Sequence, residues 1–288
     1  GKPMIYSAGV AIAGESMEGM SVAGRSHLRL VSILAFVAVL AAGPAVRAAD
    51  PSALKAGARA RVVDVVDGDT VLLADGREVR LVGIQAPKLP LGRRNFPKWP
   101  LADMAKEVLA SLVLDRDVSL RYGGREIDRH GRRLAHLLLE DGRWVQVAIL
   151  RRGMARVYSF ADNRALVAEM LAEEGAARAA GRGIWAHPYY AIRDPRAVRR
   201  DLGTFQLVEG MVLDAAEVRG TVYLNFGEDW RTDFTVTVRG SALRLFRREG
   251  LEPLALEGSR IRVRGWLDDR NGPAIEATHP EQIEVLTD

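Results

Sequence analysis

The chain has 288 residues, 48% of them apolar and none of them cysteine. That size and apolar share exclude a wholly disordered chain and allow one large or two ordinary domains, while the missing thiols exclude cysteine nucleophiles and cysteine-held metals. A formal net charge of +4 favours an acidic partner without requiring one.

The first 49 residues read as a leader. Arg25 and Arg29 precede an apolar run from Leu30 to Ala42, followed by a Gly43-Pro44 break and the small residues Ala48 and Ala49. This is the pattern of a secretory signal peptide that starts at Met20 and is removed, so an exported protein, periplasmic or secreted, is expected. The 13-residue apolar run falls short of the ~20 residues that span a bilayer, and no stable membrane span is expected after cleavage.

From Ala58 to Val82 the pattern is β, with "ARARVVDVVDGDTVLL" and "EVRLVGI" joined by the hairpin pair Asp75-Gly76. "PKLPLGRRNFPKWP" is a proline-rich loop, and "LADMAKEVLASLVL" has helical spacing with Met104, Val108, Leu109 and Leu112 on one face. "DVSLRY" reads as a strand and "RLAHLLLEDGRWV" as a second hairpin turning at Asp141-Gly142. "VQVAILRRG" and "NRALVAEMLAEEGAARAAG" read as helices stopped by Gly153 and Gly181. Residues 50–186 thus form an α+β unit. Residues 187–203 read as a linker. Residues 204–288 offer five short strands with one helix between the third and fourth, suiting a small barrel of the oligonucleotide/oligosaccharide-binding (OB) type. There Phe226 and Phe234 share parity with valines and belong to a core, which leaves Tyr223 and Trp230 as surface aromatics. Residues 49–203 carry 27 Lys/Arg against 20 Asp/Glu, whereas residues 204–288 carry 10 against 15. A phosphate-bearing partner is expected at the first domain, and a protein partner at the acidic second one.

In "VDGDTV", Asp67 and Asp69 lie two apart on a strand and point the same way. A two-residue turn at Asp75-Gly76 would set Asp69 opposite Val82 with Arg80 as its diagonal neighbour, about 7–8 Å away. Arg132 follows Gly131, which permits a sharp approach. Two arginines brought to one acid suit a tetrahedral oxyanion such as phosphate.

With these residues in their order, the sequence resembles the staphylococcal nuclease (thermonuclease) family over roughly Ala58 to Trp185. The resemblance lies in "DGDTV", "RLVGI" followed by "AP", "DRHGRRLA", "LRRGMARV" and "GIW". It implies a five-stranded barrel capped by three helices. It also implies that Asp69 is a calcium ligand and that Arg80 and Arg132 hold the scissile phosphate. Where the family places an Asp metal ligand and a Glu general base, this chain has Gln85 and Lys88. Loss of ligand charge weakens calcium binding, and a protonated lysine takes no proton from water. Asp69, Lys88, Arg80 and Arg132 sum to +2, so an ammonium in the ion's place would make a metal-independent anion site. His130 stands where the family often has tyrosine and is a further phosphate candidate. Asp67 is a replacement metal ligand if a metal binds.

Three functions follow from this reading. The leading one is an exported, degenerate thermonuclease-like protein that binds nucleic acid or another phosphate ligand without calcium. The second is a metal-dependent nuclease or phosphodiesterase hydrolysing DNA or RNA. The third is a cell-envelope scaffold or protein-interaction module. A Gln85→Asp, Lys88→Glu variant is expected to gain calcium-dependent activity if the rest of the site is intact.

Overall fold

A computed structural model describes residues 50–286; the leader expected at residues 1–49 lies outside them. The first domain runs β1 (Lys55–Asp67), β2 (Thr70–Leu73), β3 (Glu78–Leu81), the two-residue β4 (Ile84–Gln85), α1 (Ala102–Val113), β5 (Asp117–Tyr122), β6 (Arg133–Leu139), α2 (Val145–Arg151), the two-residue β7 (Arg156–Val157) and α3 (Val167–Ala179). Five strands close a barrel in the order β1-β2-β3-β6-β5, with β3 and β6 parallel. Alternating apolar residues such as Val118 and Leu120 fill it, and Leu109 of α1 and Ile149 of α2 cover it. This is the five-stranded, helix-capped barrel that the resemblance implied.

Four local readings change. Asp67 ends β1, and Gly68-Asp69 forms the turn into β2, with Asp67 paired to Thr70. The single strand expected through both acids is therefore two strands, because the close approach of Asp67 and Thr70 reverses the chain. The next connection has three residues rather than two: Leu73 N donates to Arg77 O around Ala74, Asp75 and Gly76, and Arg80 pairs with Thr70. The extra residue shifts the register by one and places Asp69 opposite Leu81. In α1 the inward face is Ala102, Ala105, Leu109, Leu112 and Val113, while Met104 is half exposed. A Cβ built on Gly68 would lie 2.8 Å from that of Ala105, so helix and turn approach most closely at Ala105. At Asp141-Gly142 the chain turns as expected, but the returning strand shrinks to one bridge at Trp144 before α2 begins.

The segment read as a linker is packed into the fold: Tyr190 and Val198 are buried, and Arg193 N donates to Leu207 O. Beyond it come β8 (Phe205–Met211), β9 (Asp214–Val218), β10 (Thr221–Asn225), β11 (Thr235–Arg239), α4 (Gly240–Arg248), β12 (Arg260–Trp266), β13 (Asp268–Asp269), β14 (Pro273–Glu276) and β15 (Ile283–Val285). They form a five-stranded sheet, β13-β14-β11-β10-β9, and a three-stranded sheet, β15-β12-β8. The chain bends from β8 into β9 at Val212-Leu213 and from β12 into β13 at Leu267. Followed across those bends, the pairings trace the same cyclic order as the first barrel, including a parallel pair, β11 with β14. Phe226 and Phe234 are core, and Tyr223 and Trp230 are exposed, as their parity predicts.

β12 alternates sharply. Ile261 and Val263 point into the second core, whereas Arg262, Arg264 and Trp266 lie on the opposite face. At its far end that face meets the first domain. Arg264, fully buried, donates to the Glu174 carboxylate of α3 at 2.9 and 3.0 Å and to Val157 O at 3.2 Å. It also contacts Glu284, which accepts from Arg178 as well. Ser159 meets the ring of buried His279 at 2.7 Å. No helix among the described residues is long and apolar enough to cross a membrane.

Candidate functional site

The turn at Gly68-Asp69 is the floor of the site. Asp67 Oδ1 accepts the N–H of Asp69 at 3.1 Å, and this local bond turns both carboxylates to one side. Asp69 is fully buried. Its carboxylate accepts from Ala86 N at 2.7 Å, from Thr70 Oγ1 at 3.2 Å and from Lys88 Nζ at 2.6 and 2.7 Å, and it pairs with Arg80 Nη1 at 2.9 Å. Lys88 Nζ also reaches Asp67 Oδ2 at 3.1 Å. The ammonium is thus held by three carboxylate oxygens of two acids.

Arg80 reaches Asp69 although the register puts it opposite Thr70, because Asp69 sits in the turn rather than on a pleated strand. Its guanidinium is anchored by the backbone as well, donating to Asp69 O, Leu81 O and Ile84 O at 3.3, 3.1 and 2.7 Å. Burial, the largest influence on Asp69, would raise its pKa, but Arg80 and Lys88 together outweigh it and hold the carboxyl well below its usual range. Asp67 moves the other way, raised first by burial and then by the charge of Asp69, with Lys88 opposing. These two acids and two cations sum to zero.

Gln85 does not face this cluster. Its Oε1 accepts from Arg156 Nε at 3.0 Å and Nη2 at 2.8 Å, because β4 pairs antiparallel with β7 and sets Gln85 against Arg156. Both residues are buried. The Arg156 guanidinium lies 4.7 Å from the Phe205 ring centroid, and burial pushes its pKa down to about 10.

Arg132 stands on the loop before β6. Gly131, at φ 83°, lets the loop fold back so that Asp128 accepts from Arg132 Nε at 2.8 Å and from the backbone N–H groups of His130 and Arg132 at 2.8 and 3.0 Å. Burial would raise the Asp128 pKa, but the Arg132 hydrogen bond and these backbone donors lower it. The expected surplus of +2 is corrected here: Asp67 and Asp69 balance Lys88 and Arg80, and Asp128 balances Arg132, which leaves no net charge. His130 is exposed and accepts from Arg129 Nε at 3.1 Å.

Arg80, His130 and Arg132 line one cleft of about 470 Å³ with Arg125 and Arg129 and with two acids, Asp128 and Asp162, so that four arginines face two carboxylates. Lys88, Gln85, Asp67 and Asp69 lie outside its lining, so the structure divides the expected residues into a cationic cleft and a buried acid–lysine cluster, with Arg80 shared by both. Sequence reasoning missed Asp128, which precedes Arg132 by one helical-turn distance in "DRHGR", and Arg156, which only non-local pairing brings to Gln85. It also missed Tyr158, Phe160 and Trp266, which line the same cleft. Among the described residues, no group of three or more His, Cys, Asp or Glu is placed to hold a metal ion.

The family model described as "Staphylococcal nuclease homologue" matches residues 78–187. An "Uncharacterized endonuclease" of Escherichia coli O157:H7 is 35% identical over 129 residues, which is 44% of this chain and 76% of that protein, and one from Escherichia coli matches to the same extent. The "Thermonuclease" of Staphylococcus hyicus is 28% identical over 106 residues, 36% of this chain and 61% of that protein.

Proposed function

Since the chain belongs to the staphylococcal nuclease homologue family, we propose that it is an exported member with a degenerate catalytic site, binding nucleic acid or another phosphate ligand at its arginine cleft without calcium. One observation carries this: Lys88 Nζ lies 2.6–3.1 Å from the carboxylate oxygens of Asp67 and Asp69. Calcium takes six to eight oxygens at about 2.3–2.6 Å. The donors here do not fit it, because an ammonium stands between the two acids and Gln85 is turned to Arg156. With a lysine in place of a carboxylate base, the position that the family uses to take a proton from water holds a proton donor instead. What remains is recognition: Arg80 and Arg132 present N–H groups to a phosphate, and Arg125 and Arg129 extend the positive surface along a strand. Export rests on residues 1–49 alone.

A working nuclease is the second reading, favoured by Arg80 and Arg132 sharing one cleft, where both can meet charge developing on a phosphate.

The two separate when the purified protein is titrated into labelled single-stranded DNA and RNA with calcium or with chelator. The proposal expects binding that survives chelator, weakens in Arg80→Ala and Arg132→Ala, and falls with salt, with the salt slope reduced by about 0.7 for each phosphate the variant no longer neutralises. Calcium-dependent cleavage that Asp69→Ala abolishes would overturn it.

A further inference from the structure

The arginine cleft has an aromatic end to which both domains contribute. Tyr158 and Phe160 follow β7 with ring centroids 4.9 Å apart at 87°. Trp266 ends β12 of the second domain, and its Nε1 donates to Tyr158 Oη at 2.9 Å. Phe205 backs the group, 4.8 Å from Tyr158 and 6.5 Å from Trp266. The indole is therefore fixed at its N–H edge and supported from behind, yet Trp266 is 47% exposed. A tryptophan held this firmly and left this open, on the rim of a cleft lined by Arg80, Arg125, Arg129 and Arg132, does not serve a core.

We propose that Trp266 is a stacking platform for one unpaired nucleobase of a strand whose phosphate lies against Arg132 and Arg80, which makes the second domain part of the binding site. The inference rests on nucleic-acid binding at the cleft. Every base has a π-face, so stacking on an immobilised ring recognises an unpaired base whatever its identity. The charge balance agrees: residues 204–288 carry 15 acids against 10 bases, so this domain contributes little through phosphate attraction and meets the strand through a neutral ring. Tyr223 and Trp230 lie outside the cleft lining. The indole also restricts the occupant, because a duplex keeps its bases stacked on one another and offers no free face.

The test uses the full protein and a labelled single-stranded oligonucleotide in which each position in turn is made abasic. Trp266→Ala is expected to weaken binding of the intact strand roughly 5- to 100-fold, while Trp266→Phe retains most of it. One abasic position should weaken binding to the unsubstituted protein and make no further difference to Trp266→Ala. That loss of position dependence separates stacking from simple destabilisation of the domain contact, which would lower affinity for every strand alike. Equal affinity in Trp266→Ala, or an abasic profile unchanged by it, overturns the inference alone. Failure of the unsubstituted protein to bind any single strand removes the proposed function and the platform with it.

Discussion

Gln85 and Arg156, 71 positions apart in the sequence, are joined by two hydrogen bonds to one amide oxygen. This bond changes what the restoring variant should do. An aspartate at position 85 would meet the buried Arg156 guanidinium and form a two-pronged ion pair with it, rather than turn toward Asp69. Gln85→Asp with Lys88→Glu is therefore expected to show little calcium-dependent rise in Tm beyond that of Lys88→Glu alone, and replacing Arg156 by methionine as well is expected to release it. Thermal unfolding of the three variants with calcium and with chelator checks this. Gln85→Ala, which leaves Arg156 without its acceptor, should cost about 1.5–3 kcal/mol in urea unfolding.

Asp69 is expected to be the acid-sensitive point of the first domain. Arg80 and Lys88 hold its folded pKa below the usual value, so the stability it contributes is present above about pH 3.9 and is lost as pH falls toward the folded value. Asp69→Asn should cost about 3–5 kcal/mol at pH 7, because Arg80 loses its carboxylate partner and Lys88 keeps only the Asp67 contact, and much less near pH 2. Urea midpoints at the two pH values give the difference.

The barrel was legible from sequence because alternation and helical spacing are local, and because the order of "DGDTV", "RLVGI" and "DRHGR" along the chain follows the fold. The register at Arg80 was not, since a three-residue loop after Leu73 and a two-residue loop after Ala74 leave nearly the same sequence signature. Lys88 could be placed near Asp69 through the resemblance, but its contact with Asp67 depends on a turn at Gly68 that a run of Val and Asp conceals inside an apparent strand. Arg156 and Trp266 were illegible for a different reason. Each acquires its setting from a distant segment, β4 for one and Tyr158 for the other, and nothing in the neighbouring residues announces the partner.

Two buried histidines predict a broader pH response. Burial pushes both His136 and His279 down to about 4 from an ordinary value of 6.5. Between those values the unfolded chain binds more protons than the folded one, so stability declines as pH drops from 6.5 to 4 and is flat above that window. Each full shift corresponds to a change on the order of 3 kcal/mol. His136→Phe should flatten roughly half of the slope of unfolding free energy against pH.

Glu174 is expected to be among the costliest single replacements in the chain. It accepts from Arg264 and Arg178 in a site closed to water, and Glu174→Gln leaves the Arg264 charge to Glu284 alone. A loss of about 3–5 kcal/mol is expected, partly recovered by a second change, Arg264→Met. A double-mutant cycle in urea measures the coupling.

The alternation of β12 has a further effect on how the chain finds its fold. Its pairing with β8 sets Ile261 and Val263 inward and the arginines outward, and a slip of one residue would exchange the two sets. Guanidinium groups would then enter an apolar core without partners, at a cost of several kcal/mol each. The charges that fasten one domain to the other therefore also fix the register of the central strand that carries them.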